Sequence, residues 1–266
     1  RASFGVFQIP SQEEYGWPRS EFSLAIAIHN LAWGLGAPLF GAFAEKIGDR
    51  KAIVLGAILY SSGLVLTTTA ESPFAIQFYE VLVGFGIAGT GFGVILAVVG
   101  RASRPENRAM SLAIATAAGS AGQIVGPIAA VSLLKVVSWQ TVFLIFAAAM
   151  MLVLLLLPLM QAPDRVQKED LEESLGEILR LALKDPSYMM IFLGFFSCGY
   201  QLAFITAHFP AMVSEMSAPV DPLGWCGDLG IETTAELGGF AISVIGAANI
   251  IAVSYTHLRA HETQTH

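Results

Sequence analysis

Charge is what this sequence has least of. Asp, Glu, Lys and Arg make up 13% of its 266 residues, where an ordinary soluble domain carries about 25%. Basic residues are the scarcer sign, 14 Lys and Arg against 21 Asp and Glu, so the net charge of −7 leaves no positive footprint for nucleic acid. Only two cysteines occur, Cys198 and Cys226, without metal or redox spacing, and they set no compartment. The opening RASFGVFQIP has no charged leader or A-x-A cleavage site, so this stretch is not expected to be a signal peptide. No nucleophile–base pair, metal-ligand spacing or phosphate loop occurs, so the chain is not expected to be an enzyme or to hold a metal or cofactor.

Apolar side chain fills the space that charge vacates. Hydrophobic residues are 55% of the chain and the mean hydropathy is +0.64. A core of this length cannot hide so much apolar surface from water, so lipid is the solvent. Crossing a bilayer takes roughly 20 mainly apolar residues. On that scale the spans are Phe22–Ala44, Ala52–Ala70, Phe74–Val99, Ala109–Leu134, Trp139–Met160, Ser187–Val213 and Glu236–Val253. The opening RASFGVFQIP reads as the last part of a further span, so the sequence is expected to be a fragment.

The few charges are clustered. EKIGDRK, residues 45–51, sets five of them between two apolar runs. Loops on its side of the membrane hold ten Lys or Arg, and loops on the other side hold only Arg19 and Lys135. Cytoplasmic loops carry the basic excess, which places the 45–51 turn in the cytoplasm. Residues 161–186 form the longest polar stretch on that side. Leu171, Leu175, Ile178, Leu179 and Ala182 recur there at helical spacing, predicting an amphipathic helix lying on the surface. The opposite loop, 214–235, is rich in Pro and Gly and is expected to be poorly ordered. From residue 254 the chain turns into a polar, His-rich string; His257, His261 and His266 lack a supporting carboxylate or cysteine frame, and 254–266 reads as a non-native tail.

GAFAEKIGDRK, Gly41 to Lys51, resembles the G-x-x-x-D-R-x-G-R-R-x loop of the major facilitator superfamily, between its second and third helices. Gly41, Glu45, Lys46, Gly48, Arg50 and Lys51 fit, with Glu45 where Asp is usual and Asp49 where a base is usual. GSAGQIVGPIAA, with Gly122, Gly126 and Pro127, is similar to the family's fifth-helix G-x-x-x-G-P packing motif. The stretch FGVFQIPSQEEYGWPRSEFSLAIA and the seventh span resemble the monocarboxylate and oxalate/formate branch. The resemblance implies an all-α membrane protein of twelve helices in two halves, with substrate near the midplane. Residues 1–160 would then be the N-terminal bundle with a truncated first helix, 161–186 the linker, and 187–253 the start of the C-terminal bundle. It further implies that the 41–51 motif latches one conformation, and that the protein is a monomer in the plasma (bacterial inner) membrane.

Polar residues inside apolar spans are costly in lipid and mark candidate sites. Glu80 lies about six residues, or ~9 Å, inside its span, and suits protonation or substrate contact. Arg1 could hold a carboxylate through two hydrogen bonds. His29 and Asn30 are adjacent, pointing about 100° apart, and are not expected to share one seam. Gln123 sits within the fifth-helix motif, where bonding between helices is the competing reading. Gln201 and His208 are seven residues apart on one face of the seventh span. GFGIAG, Gly84 to Gly89, matches a nucleotide fingerprint in letters only: it lies inside an apolar span, where small residues serve close helix packing. The function expected from the resemblance is secondary transport of a small, monocarboxylate-like organic anion by alternating access, as proton symport or anion exchange. The alternatives are a proton-coupled drug exporter of the same superfamily and a non-transporting membrane receptor.

Overall fold

A computed structural model describes residues 3–159, 175–221 and 223–263. Every regular element among them is helical. Seven stretches are long and apolar enough to cross a membrane: Arg19–Ile47, Asp49–Thr67, Pro73–Ala102, Pro105–Leu134, Trp139–Pro158, Pro186–Met216 and Thr234–Ala252. They coincide with the seven spans read from hydropathy, and the protein is an integral, multi-pass membrane protein. Ahead of them a 3-10 turn, Phe4–Phe7, leads into α1 (Gln8–Tyr15), where the sequence had suggested the end of a further span. Arg1 lies outside the described residues.

Helices α2 (Arg19–Ile47) and α3 (Asp49–Thr67) meet at Gly48, whose φ of 94° permits the reversal. Ser72 opens α4 (Pro73–Thr90) by accepting the Ala75 N–H, with Pro73 at the first helical position. The expected continuous fourth span is broken: α4 stops at Thr90, Gly91 is extended, and α5 (Phe92–Ala102) begins anew. The causes are local. Glycines at 91 and 93 weaken the helix, and the Thr90 hydroxyl donates back to the Gly86 carbonyl at 2.9 Å.

Five further helices complete the described chain. These are α6 (Arg108–Leu134), α7 (Trp139–Val153), α8 (Leu175–Lys184), α9 (Pro186–Met216) and α11 (Thr234–Thr263), with a single turn, α10 (Trp225–Asp228), before the last. Of the expected surface helix, α8 is present with Leu179, Leu181 and Leu183 exposed; residues 160–174 are outside the described part. The 214–235 loop departs from expectation. Its α10 turn is followed by Gly230 at φ 71°, Ile231 is buried, and Lys135 Nζ donates to the Gly230 carbonyl at 3.2 Å. The backbone of α11 also runs helically into the polar tail as far as Thr263; residues 264–266 are not described.

Packing is governed by small residues. α4 lies between α2 and α3, and α7 backs α3. A Cβ at Gly84 would sit 2.4 Å from the His29 carbonyl, and one at Gly86 2.4 Å from the Tyr60 nitrogen. The GFGIAG stretch therefore brings backbones into contact. On the other side α11 packs along α6 and α9. The Phe4–Phe7 turn touches α9 so closely that a Cβ at Gly5 would meet the Thr206 carbonyl at 2.4 Å.

Candidate functional site

Where these helices diverge around the Gly91 break they leave a cavity of about 380 Å³, within the range that holds drug-sized ligands. Aromatic side chains from three helices reach it: Trp33 of α2, Tyr60 of α3 and Phe92 of α5. Ile87, Met150 and Leu202 add aliphatic wall; Thr90, Gln123 and Thr206 add neutral polar groups. Gly91, Gly119 and Gly122 leave it room. No Asp, Glu, Lys or Arg is among these lining residues.

A second, smaller space lies beside it. Phe4, Ile26, His29, Asn30, Thr206 and Ala207 line a cleft of about 10 Å³, room for about one water. His29 is 3% exposed and its Nδ1 lies 2.6 Å from Oε2 of Glu80, which is 0% exposed. The Phe4 ring covers the imidazole, centroids 5.8 Å apart. His29 Nε2 and Glu80 Oε1 are buried with no hydrogen-bond partner among the described residues. Gln8, one turn beyond Phe4, is likewise fully buried with both amide atoms unpartnered.

The remaining candidates fall as follows. Asn30 shares the cleft with His29, against the expectation from their angular separation. The cleft lies at the junction of α2 with α9 and is bounded by both neighbours, while the Asn30 amide folds back to the Ile26 carbonyl at 2.8 Å. Gln123 lines the large cavity, and its Cβ lies 3.2 Å from where Gly246 of α11 would carry one. Gln201 is exposed and His208 rests on Phe204, centroids 5.1 Å apart; neither lines the cavity, which α9 reaches instead through Leu202 and Thr206. In the fifth-helix motif Pro127 is buried and Gly126 faces the Ser3 hydroxyl, whereas a Cβ at Gly122 would meet nothing within 4 Å.

In the 41–51 motif Glu45, Lys46, Arg50 and Lys51 are exposed, and a Cβ at Gly41 would also meet nothing within 4 Å, so Gly41 serves no close approach among the described residues. Asp49, the residue out of step with the motif, makes a contact across the bundle. It forms an ion pair with Arg101 at the end of α5. At the opposite end of the bundle two more pairs span the two sets of helices. Arg19 at the start of α2 meets Glu215 at the end of α9, and Lys135 beyond α6 lies 3.2 Å from Glu236 of α11.

Sequence reasoning missed the His29–Glu80 pairing, Thr206, Trp33 and Tyr60. The pairing had a signal, since two lone polar residues in neighbouring spans are natural partners in lipid. The aromatic and threonine positions had none, because such residues are ordinary in any apolar helix.

Comparison with known proteins gives a consistent assignment. The family model described as Major Facilitator Superfamily matches residues 2–260. An MFS-type transporter, YcxA, of Bacillus subtilis is 27% identical over 81% of this chain and 54% of its own length. Multidrug resistance protein MdtH of Aeromonas hydrophila is 27% identical over 80% of this chain and 53% of its own. Vacuolar basic amino acid transporter 5 of Saccharomyces cerevisiae is 28% identical over 52% of this chain and 22% of its own. The chain thus spans about half the length of the first two of these relatives.

Proposed function

The chain belongs to the major facilitator superfamily, and from that premise we propose that the full-length protein is a proton-coupled exporter of lipophilic, aromatic compounds, neutral or cationic. It works as a monomer in a bacterial inner membrane. The observation that carries this reading is the lining of the large cavity. Trp33, Tyr60 and Phe92 offer ring faces, the rest is aliphatic or neutral polar, and no charged side chain is present among its described walls. Apolar surface favours lipophilic ligands, and aromatic faces attract organic cations. The relatives named multidrug resistance protein point the same way.

Transport of a small organic anion, by symport or exchange, needs a cation in the cavity. None of the described lining residues carries one, which favours export of lipophilic compounds; Arg1, the candidate the first helix offers, lies outside the described residues. The kinship with the monocarboxylate branch rests on the first helix junction and the seventh span alone.

The mechanism is alternating access. α2 to α7 form one rocking body and α9 onward the start of the other, with substrate held between them and a proton moving through the membrane-buried acid Glu80. The test is transport by the full-length protein in proteoliposomes, with ethidium and with labelled monocarboxylates. Ethidium movement driven by a pH gradient is expected. Accumulation of the carboxylates alone would return the organic-anion reading, and no transport of either would favour a receptor.

A further inference from the structure

His29 and Glu80 share one hydrogen bond, and each keeps one bare, buried polar atom. The Nδ1 contact of 2.6 Å engages one imidazole nitrogen, so the free nitrogen is Nε2. His29 lines the cleft beside Phe4 and Thr206, and Glu80 does not. The imidazole therefore forms part of the cleft wall, and the carboxylate does not.

We propose that the coupled proton is carried by the His29–Glu80 pair as a unit and enters and leaves at Nε2 of His29 through this cleft, with Glu80 as the counter-ion that positions the ring. The proposal deepens the exporter reading and rests on it. In the unloaded pair the Glu80 carboxylate accepts the Nδ1–H bond, Nε2 carries a bare lone pair, and the net charge is −1. A hydronium in the cleft passes its proton to Nε2 and leaves as water; a new N–H bond forms and the pair becomes neutral. The proton between Nδ1 and Oε2 can then sit on either atom without changing the count, because the pair has the same net charge either way. Unloading reverses the step. Neutrality is the advantage of the loaded form, since an uncompensated carboxylate deep in a membrane protein is costly.

The groups around the imidazole leave this role to the pair. Phe4 and Ile26, Asn30 on α2, and Thr206 and Ala207 on α9 carry no charge. On α2 the next acid outward is Glu21, about two turns away, already accepting a 2.7 Å bond from Gln77 of α4. Among the described residues no other titratable group lines the cleft.

The cleft is also coupled to the substrate cavity. Thr206 lines both spaces, and its backbone and that of Ala207 are seated directly on Gly5. A shift of α9 that reshapes the cavity therefore also changes access to Nε2. Substrate and proton are gated by the same helix.

The test uses the full-length protein in proteoliposomes, with ethidium transport under an imposed pH gradient and nitrogen-15 spectra of the imidazole. In the wild type, Nε2 of His29 should gain its proton over the pH range in which transport is gradient-driven. His29→Gln should abolish gradient-driven transport. Glu80→Gln, which removes the counter-ion, should likewise abolish gradient-driven transport. Retained coupling in His29→Gln, or an Nε2 that never changes protonation in the wild type, overturns the inference. The spectroscopic arm needs no variant to fold. Wild-type transport indifferent to the pH gradient overturns the proton-coupled reading itself, and this inference with it.

Discussion

At single residues, the same amino acid has opposite surroundings in two glycine-rich stretches. Gly86 faces the Tyr60 backbone, where an added Cβ would lie 2.4 Å from the nitrogen and 2.5 Å from Cα. Backbone cannot move aside as a side-chain tip can, so Gly86→Ala must separate α3 from α4. Overpacking of this kind costs about 1–3 kcal/mol. Gly122 faces the cavity with nothing within 4 Å, so Gly122→Ala adds a methyl to open space. Thermal unfolding in detergent should show a clear loss of stability for the first and almost none for the second. In Gly122→Ala, dye transport is the property expected to change. Equal stability losses would mean that the α3–α4 approach is looser than described. Both glycines were visible in the sequence as members of motifs. Which of them faced a neighbour was not, because helical spacing gives an angle but does not say what stands at that angle.

Among the helices, the informative junctions are those at which a regular pattern stops. The fourth span was legible as one apolar run, and its break at Gly91 opens part of the wall of the large cavity. Near the base of the same span Arg101, at the end of α5, reaches Asp49 at the start of α3. The acid sits in the first turn of its helix and the base in the last turn of its own, so each also meets the favourable end of a helix dipole. This pair ties the turn between α2 and α3 to α5. Asp49→Asn in the full-length protein should therefore slow conformational cycling while leaving equilibrium ethidium affinity within about twofold, a difference under ~0.5 kcal/mol. Turnover and binding measured on the same preparation decide it. A large loss of affinity with normal turnover would move Asp49 from the conformational latch to the substrate site. Lys46 and Arg50 drew attention in the sequence because they matched a pattern, whereas Asp49 stood out as the mismatch.

Across the whole molecule, the two basic residues on the sparsely charged side of the membrane both form pairs. Arg19 meets Glu215 and Lys135 meets Glu236, each joining a residue ahead of α8 to a helix after it. An exposed pair such as Arg19–Glu215 contributes only about 0.2–1 kcal/mol, too little to hold a fold but enough to bias two conformations close in energy. Arg19→Glu should weaken closure of this end and raise labelling of cysteines placed beneath it. Adding Glu215→Arg should restore the wild-type labelling. If the double variant behaves as the sum of two single losses, the pair plays no part in closure. Neither contact could be read from the sequence, since the partners are 196 and 101 residues apart and lie at or near helix ends with no shared pattern.

Hydropathy determined the number and order of the membrane spans, because lipid demands long apolar runs whatever their neighbours are. Small residues at 84, 86 and 89 indicated close packing for the same reason. The cavity wall, the break at Gly91 and the joining of His29 to Glu80 were decided by tertiary structure. Each depends on which faces of separate helices meet, and in a membrane protein that choice leaves little trace in polarity. A helix face turned to lipid and one turned to a neighbouring helix are apolar alike. Only the fold distinguishes a tryptophan lining a cavity from one buried in packing, or two isolated polar residues from one hydrogen-bonded pair.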